Sequence, residues 1–167
     1  MKMEDLKKAF TQGTYAGVNF SVKTLEAIRQ FAIEHEIPNR LETRKLHTTL
    51  LYSRKHLPKY EPAGKIDPPM IATFKEWDMF LTRPTNGNKP NRCLVMKIDC
   101  FDLWKRHIFL MNEHSATYDF LEYVPHISLS YDIGDFDYHQ LPKFEGEIEI
   151  VNEYSSILEL DWAEKNG

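Results

Sequence analysis

Cysteine is almost missing from this chain: Cys93 and Cys100 are the only two among 167 residues. They make no CxxC pair and no disulfide pattern, and an odd spacing along one strand points them to opposite faces. Both are expected to be reduced structural thiols. Positive charge is also scarce, with 21 Lys and Arg against 25 Asp and Glu, a formal net charge of −4. Coating a long nucleic acid needs a basic footprint, so no such partner is expected. A small anionic ligand is not excluded, because it needs only a few local donors. No run approaches the roughly 18 apolar residues of a membrane span. The opening MKMEDLKKAF is too polar for a signal peptide. No membrane partner is expected, and the cytoplasm is the default location. HExxH, a Cys/His ligand cluster, a Walker loop, a dinucleotide-binding glycine pattern and a nucleophile elbow are all missing. Neither a metal nor a cofactor is implied.

What is present suits a folded globule, at 42% apolar and 13% aromatic content. The length suits one domain over residues 1–167. Gly13–Val22 reads as a strand, with Gly17 as its weak point. Lys23–Glu36 carries Leu25, Ile28, Phe31 and Ala32 at helical spacing, and Pro38 and Asn39 stop it. Leu46–Ser53 reads as a strand, Arg54–Pro69 as a loop, Met70–Leu81 as β-prone, and Pro84–Pro90 as a turn. The order then recurs. Arg92–Cys100 reads as a strand, Asp102–Ser115 as a helix capped by Asp102, and Tyr123–Tyr131 as a strand with Pro125 near its start. Glu147–Asp161 alternates as one bent strand or a hairpin.

A single offset of 79 residues carries His47 onto His126, Thr49 onto Ser128, Leu50 onto Leu129 and Tyr52 onto Tyr131. Each of these strands follows a strand and a helix of similar length. The shared order suggests internal pseudo-repeats at about 13–53 and 92–132, folded around an approximate two-fold axis. Side chains alternate along a strand. His47, Thr49 and Leu51 are thus expected on one face, with Thr48, Leu50 and Tyr52 on the other. Likewise His126, Ser128 and Ser130 oppose Ile127, Leu129 and Tyr131. Two such strands meeting at the axis would gather two imidazoles and two hydroxyls around one cavity.

Phosphodiester cleavage needs that set. A base must take a proton from the attacking oxygen, and an acid must give one to the departing oxygen. Imidazole, with an ordinary pKa of about 6.5, serves either role near neutrality. Hydroxyls donate to the non-bridging phosphate oxygens as charge builds. Either His-x-Thr/Ser tripeptide alone is more often structural. The matched pair carries the argument. His35 and His114 lie near helix C-termini, His56 and His139 in polar loops, and His107 within a helix. Among large rings, Trp104 reads as core, while Tyr15, Trp77 and Trp162 are candidate platforms for a nucleobase. Simple packing is the competing reading for each.

The motifs HTTL at His47–Leu50 and HISL at His126–Leu129 resemble those of the 2H phosphoesterase superfamily, a pair of His-hydrophobic-Thr/Ser-hydrophobic segments. Thr48 departs from the pattern, standing where a hydrophobic residue is usual. Length, the YVPHISLSYD stretch and the aromatic ends look like the phage anti-CBASS nuclease family, which degrades cyclic di- and trinucleotide immune signals. The resemblance implies a bilobal α+β fold: two pseudo-symmetric antiparallel-sheet lobes with flanking helices, and the histidines facing each other across a cleft. It implies a metal-independent phosphodiesterase with His47 and His126 as catalytic pair and Thr49 and Ser128 on the phosphate. Base stacking would fall on Tyr15 and Trp162, with Trp77 as a further candidate, and Glu153 is a possible reader of a base edge. The partner would be a cyclic oligonucleotide, with no preference for ring size, base or oligomeric state legible. Two rivals stand beside this: a 2′,3′-cyclic phosphodiesterase acting on RNA ends, and a non-catalytic cyclic-nucleotide sponge. The acidic balance leans against the first. Both histidines and both hydroxyls are superfluous to the second.

Overall fold

A computed structural model describes residues 2, 3, 12–84, 87 and 89–160. Strand β1 (Gln12–Phe20) runs into helix α1 (Val22–Glu34), and β2 (Thr48–Ser53) follows after a short 3-10 turn. A 19-residue strand β3 (Gly64–Thr82) leads to β4 (Asn91–Asp99), helix α2 (Phe101–Glu113), β5 (His126–Ser130) and β6 (Ile148–Glu159). All pairings are antiparallel, in the order β2-β1-β6-β3-β4-β5.

That order is symmetric about the β6–β3 contact. β2, β1 and β6 make one half, and β5, β4 and β3 make the other. Each half holds one helix between its outer two strands in sequence. The third strands are exchanged: β3 follows β2 in the chain but pairs with β4, while β6 follows β5 but pairs with β1. β3 is long enough to serve both halves, pairing with β6 through Gly64–Ala72 and with β4 through Thr73–Thr82. The segment Arg54–Pro69, expected to be loop throughout, therefore becomes strand from Gly64. A register shift between Lys65 and Met70 absorbs the prolines that break its ladder.

Both helices pack on one face of the sheet. α1 begins at Ser21, whose Oγ accepts from the Thr24 N–H at 3.2 Å. It buries Thr24, Ile28 and Ala32. α2 buries Leu103, His107 and Leu110. Its N-cap is Cys100 rather than the expected Asp102, which lies in the first turn, where a carboxylate suits the positive end of the helix. Leu50, Leu51, Leu94, Met96, Ile98, Ile127, Leu129, Ile148 and Ile150 complete one continuous core. Each such side chain contributes about 1.5–3 kcal/mol on burial. The opposite face of the sheet is left for the site.

Candidate active site

The motif strands β2 and β5 stand at the two ends of the sheet order, so a flat sheet would hold them far apart. The sheet curls, and side chains join its two edges. Thr48 Oγ1 donates to the His126 carbonyl at 3.0 Å, and the Tyr123 hydroxyl donates to the Thr49 carbonyl at 2.8 Å. His107 Nδ1 donates to the Leu50 carbonyl at 2.7 Å, its ring stacked on Tyr123 at 4.1 Å and 5°. The Leu41 N–H reaches the Leu129 carbonyl at 2.8 Å. Thr48 is fully buried. The hydroxyl that departs from the motif thus answers an edge carbonyl of the other motif strand, which a valine there would leave without a donor.

The two strands match in detail. Residues 47–51 and 126–130 share one pattern: half-buried, buried, half-buried, buried, buried. The cause is a β-bulge at the same place in each. Ala16 pairs with Leu51 and Gly17 with Thr49, skipping Leu50; Leu94 pairs with Ser130 and Val95 with Ser128, skipping Leu129. Strict alternation put Leu51 and Ser130 beside the histidines. The bulge turns both into the interior instead and brings Tyr52 level with Tyr15 on the histidine face.

His47 Nδ1 lies 2.8 Å from the carbonyl of Lys45, and His126 Nδ1 lies 2.9 Å from that of Val124. A carbonyl only accepts, so Nδ1 carries the hydrogen in both rings and Nε2 is the nitrogen that exchanges a proton. Burial pulls the His126 imidazole below its ordinary value; the Val124 carbonyl opposes this, and charge on His47 and Lys97 adds to it. The two imidazoles are thus close enough to sense each other. Phe80 meets His126 edge-on at 5.3 Å, and Tyr15 meets His47 edge-on at 6.3 Å. Lys97, the cross-strand partner of His126, is held by Asp78 at 2.7 Å and Glu76 at 3.2 Å. The hydroxyls have neighbours as well. Tyr15 Oη is 3.0 Å from Thr49 Oγ1, and Cys93 Sγ is 3.7 Å from Ser128 Oγ.

Of the candidate residues, His47, Thr49, His126, Ser128 and Tyr15 come together on this face. Trp77 does not. It pairs with Met96 on the helix side of the sheet, stacks on Phe31 at 5.3 Å and donates its indole N–H to the Pro142 carbonyl. Trp162 lies outside the described residues. Glu153, a possible base reader, is 2% exposed. Its carboxylate is occupied by Arg106 at 2.8 and 3.0 Å, the Tyr60 hydroxyl at 2.7 Å and the Ala63 N–H at 2.9 Å. Trp104, expected in the core, is 47% exposed beside Phe101.

Sequence reasoning missed the edge-joining pair Tyr123 and His107, and it missed Tyr154. The last pairs with Gly17, where an added Cβ would stand 2.6 Å from the Tyr154 hydroxyl. The glycine that weakened the β1 reading is the place where Tyr154 leans across the strand. Its proximity to Tyr15 was written only in tertiary pairing. Among the described residues, no three His, Cys, Asp or Glu gather as a metal-ligating group.

Sheet order, edge closure and paired histidines define a 2H phosphoesterase-type fold. Solved structures agree. Over 87% of this chain and 87% of its own, a crystallised phosphoesterase superposes with a TM-score of 0.59 at 18% identity. Escherichia coli LigT complexed with phosphate superposes with a TM-score of 0.52 at 16% identity, over 87% of this chain and 86% of its own. Within that class, residues 12–165 match the family model of the anti-CBASS protein Acb1, and the chain belongs to that family. The Acb1 of Yersinia phage phiR1-RT is 33% identical over 92% of this chain and 93% of its own. That of Enterobacteria phage T4 is 30% identical over 94% and 95%.

Proposed function

We propose that this protein is a metal-independent phosphodiesterase that opens cyclic di- and trinucleotides, and that it serves phage counter-defence against CBASS immunity. The supporting observation is the pair of imidazoles in one tautomer, each two residues from a hydroxyl on a matched bulged strand. Family membership supports the counter-defence setting, and a signal made in the host cytoplasm would be met there. No helix among the described residues is long and apolar enough to cross a membrane. Residues 13–53 and 92–132 read as two copies of one unit inside a single domain, because the exchanged third strands leave neither copy with its own sheet.

The mechanism follows from the proton positions. His126, held neutral by burial, is the base: its Nε2 takes the proton of a ribose 2′-OH. The 2′-oxygen attacks the adjacent phosphorus in line, and the bond from phosphorus to the 5′-oxygen breaks. His47, entering the step as the imidazolium with a hydrogen on each ring nitrogen, gives its Nε2 proton to that leaving oxygen. Thr49 and Ser128 donate to the non-bridging oxygens. The product is a linear oligonucleotide with a 2′,3′-cyclic phosphate. Water attack through the same pair, in reversed roles, opens that phosphate and restores both histidines.

The test is incubation with cyclic di- and trinucleotides in EDTA, with products followed by chromatography. Linear products are expected. Cleavage only after a divalent metal is restored would refute the metal-independent mechanism, and binding without cleavage would leave a sponge. Turnover of 2′,3′-cyclic RNA ends alone would overturn the substrate class.

A further inference from the structure

The symmetry between the halves extends past the motifs to the strand beside each. Gly17 faces Thr49 and Val95 faces Ser128. Two residues earlier on each neighbouring strand, on the same face, stand Tyr15 and Cys93. They occupy equivalent places, and each reaches the hydroxyl of its own half: Tyr15 Oη to Thr49 Oγ1 at 3.0 Å, Cys93 Sγ to Ser128 Oγ at 3.7 Å.

We infer that Cys93 is a positioning residue for the reaction, the counterpart of the Tyr15 hydroxyl, and that the two hold Ser128 and Thr49 with their own hydrogens turned to the phosphate. The inference rests on the phosphodiesterase reading above. A serine or threonine hydroxyl has one hydrogen and two lone pairs, and its rotor is free unless something fixes it. A hydrogen bond received from the neighbouring strand uses a lone pair and leaves the hydrogen for a phosphate oxygen. Both donors keep their hydrogens at neutral pH. Burial pushes the Cys93 thiol up, and burial pushes the Tyr15 phenol up as well. Cys93 itself is 5% exposed, so no water competes with it for Ser128 from its own side.

A thiol is a weak donor, and it acts here through another residue, so its removal should be felt in turnover and not in binding. Cys93→Ala, smaller, and Cys93→Val, larger, both lack the donor; Cys93→Ser keeps one. On a cyclic dinucleotide, the first two should lower kcat by roughly two- to fivefold with KM unchanged, the size of one weak hydrogen bond. Cys93→Ser should stay near the parent rate. In a Ser128→Ala background, Cys93→Ala should cost nothing more, since the hydroxyl it orients is gone. Tyr15→Phe should behave likewise toward Thr49→Ala. Parent-like kcat in both Cys93→Ala and Cys93→Val would overturn the role, as would an equal loss in Cys93→Ser or full additivity with Ser128→Ala. An inactive parent protein would instead overturn the phosphodiesterase reading, and the positioning role with it.

Discussion

Replacing Arg106 by Met should destabilise the protein in a pH-dependent way whose sign differs from that of the parent. Glu153 is buried, its side chain 1% exposed, and Arg106 is its ion-pair partner, 24% exposed. Met keeps most of the apolar stem near Phe109, over whose ring the guanidinium sits at 5.5 Å. What remains is a buried carboxylate without its cation. Breaking a buried pair this way costs about 3–5 kcal/mol. The partial exposure of Arg106 and the remaining bonds from Tyr60 and Ala63 favour the lower end, about 3 kcal/mol. For a domain of this size that is a fall in Tm of roughly 6–12 °C. In the parent, burial pushes the Glu153 carboxyl up, but its hydrogen bonds with Arg106, Tyr60 and Ala63 hold it below the ordinary carboxylate value. Its contribution is thus present above that value and lost as pH falls through the depressed one. Without Arg106, desolvation dominates and the carboxyl rises, so the folded state gains affinity for the proton and acidification narrows the deficit. The assay is thermal unfolding of both proteins from neutral pH to about pH 5. Arg106→Met/Glu153→Gln, which removes the stranded charge, should recover part of the loss. A pH-independent deficit below about 1 kcal/mol would refute the buried-pair argument, because that is the worth of a surface bridge.

Four further outcomes are expected. Replacing His47 or His126 by Ala should lower turnover at least about a hundredfold while nucleotide binding survives, and Thr49→Ala and Ser128→Ala should be milder; near-parental rates would end the paired-histidine mechanism. The rate profile should be bell-shaped. Because the His126 imidazole is depressed, its acid limb should fall at a pH below the ordinary imidazole value of about 6.5; a limb at or above it would remove His126 as base. A cyclic dinucleotide with 2′-deoxyribose at the scissile linkage should bind and resist cleavage, since it lacks the intramolecular nucleophile; equal cleavage would point to water as the first attacker. Trp77→Ala should lower Tm through its lost stack on Phe31, and calorimetry should find cyclic-nucleotide affinity unchanged.

What the sequence determined by itself was local and periodic. Helix spacing at Leu25, Ile28, Phe31 and Ala32, with Pro38 and Asn39 beyond its end, suffices for α1, because those signals act within a few residues. The tandem His-x-Thr and His-x-Ser at one offset sufficed to set each histidine on one face with the hydroxyl two residues further on, because a strand sets its faces residue by residue. Where a feature depends on segments far apart in the chain, local pattern has no purchase. The exchange of β3 and β6 between halves is a pairing decision, invisible in either strand alone. The bulges at Leu50 and Leu129 arise from register against β1 and β4, so alternation failed at Leu51 and Ser130. Trp77 has the composition of a base platform, and only its pairing with Met96 sends it to the helix side. Cys93 is unremarkable as one of two cysteines. Pairing of β4 with β5, a partner some 35 residues further along the chain, is what places its thiol against the hydroxyl of Ser128, while curling the sheet until its edges meet brings the other motif strand to the same site.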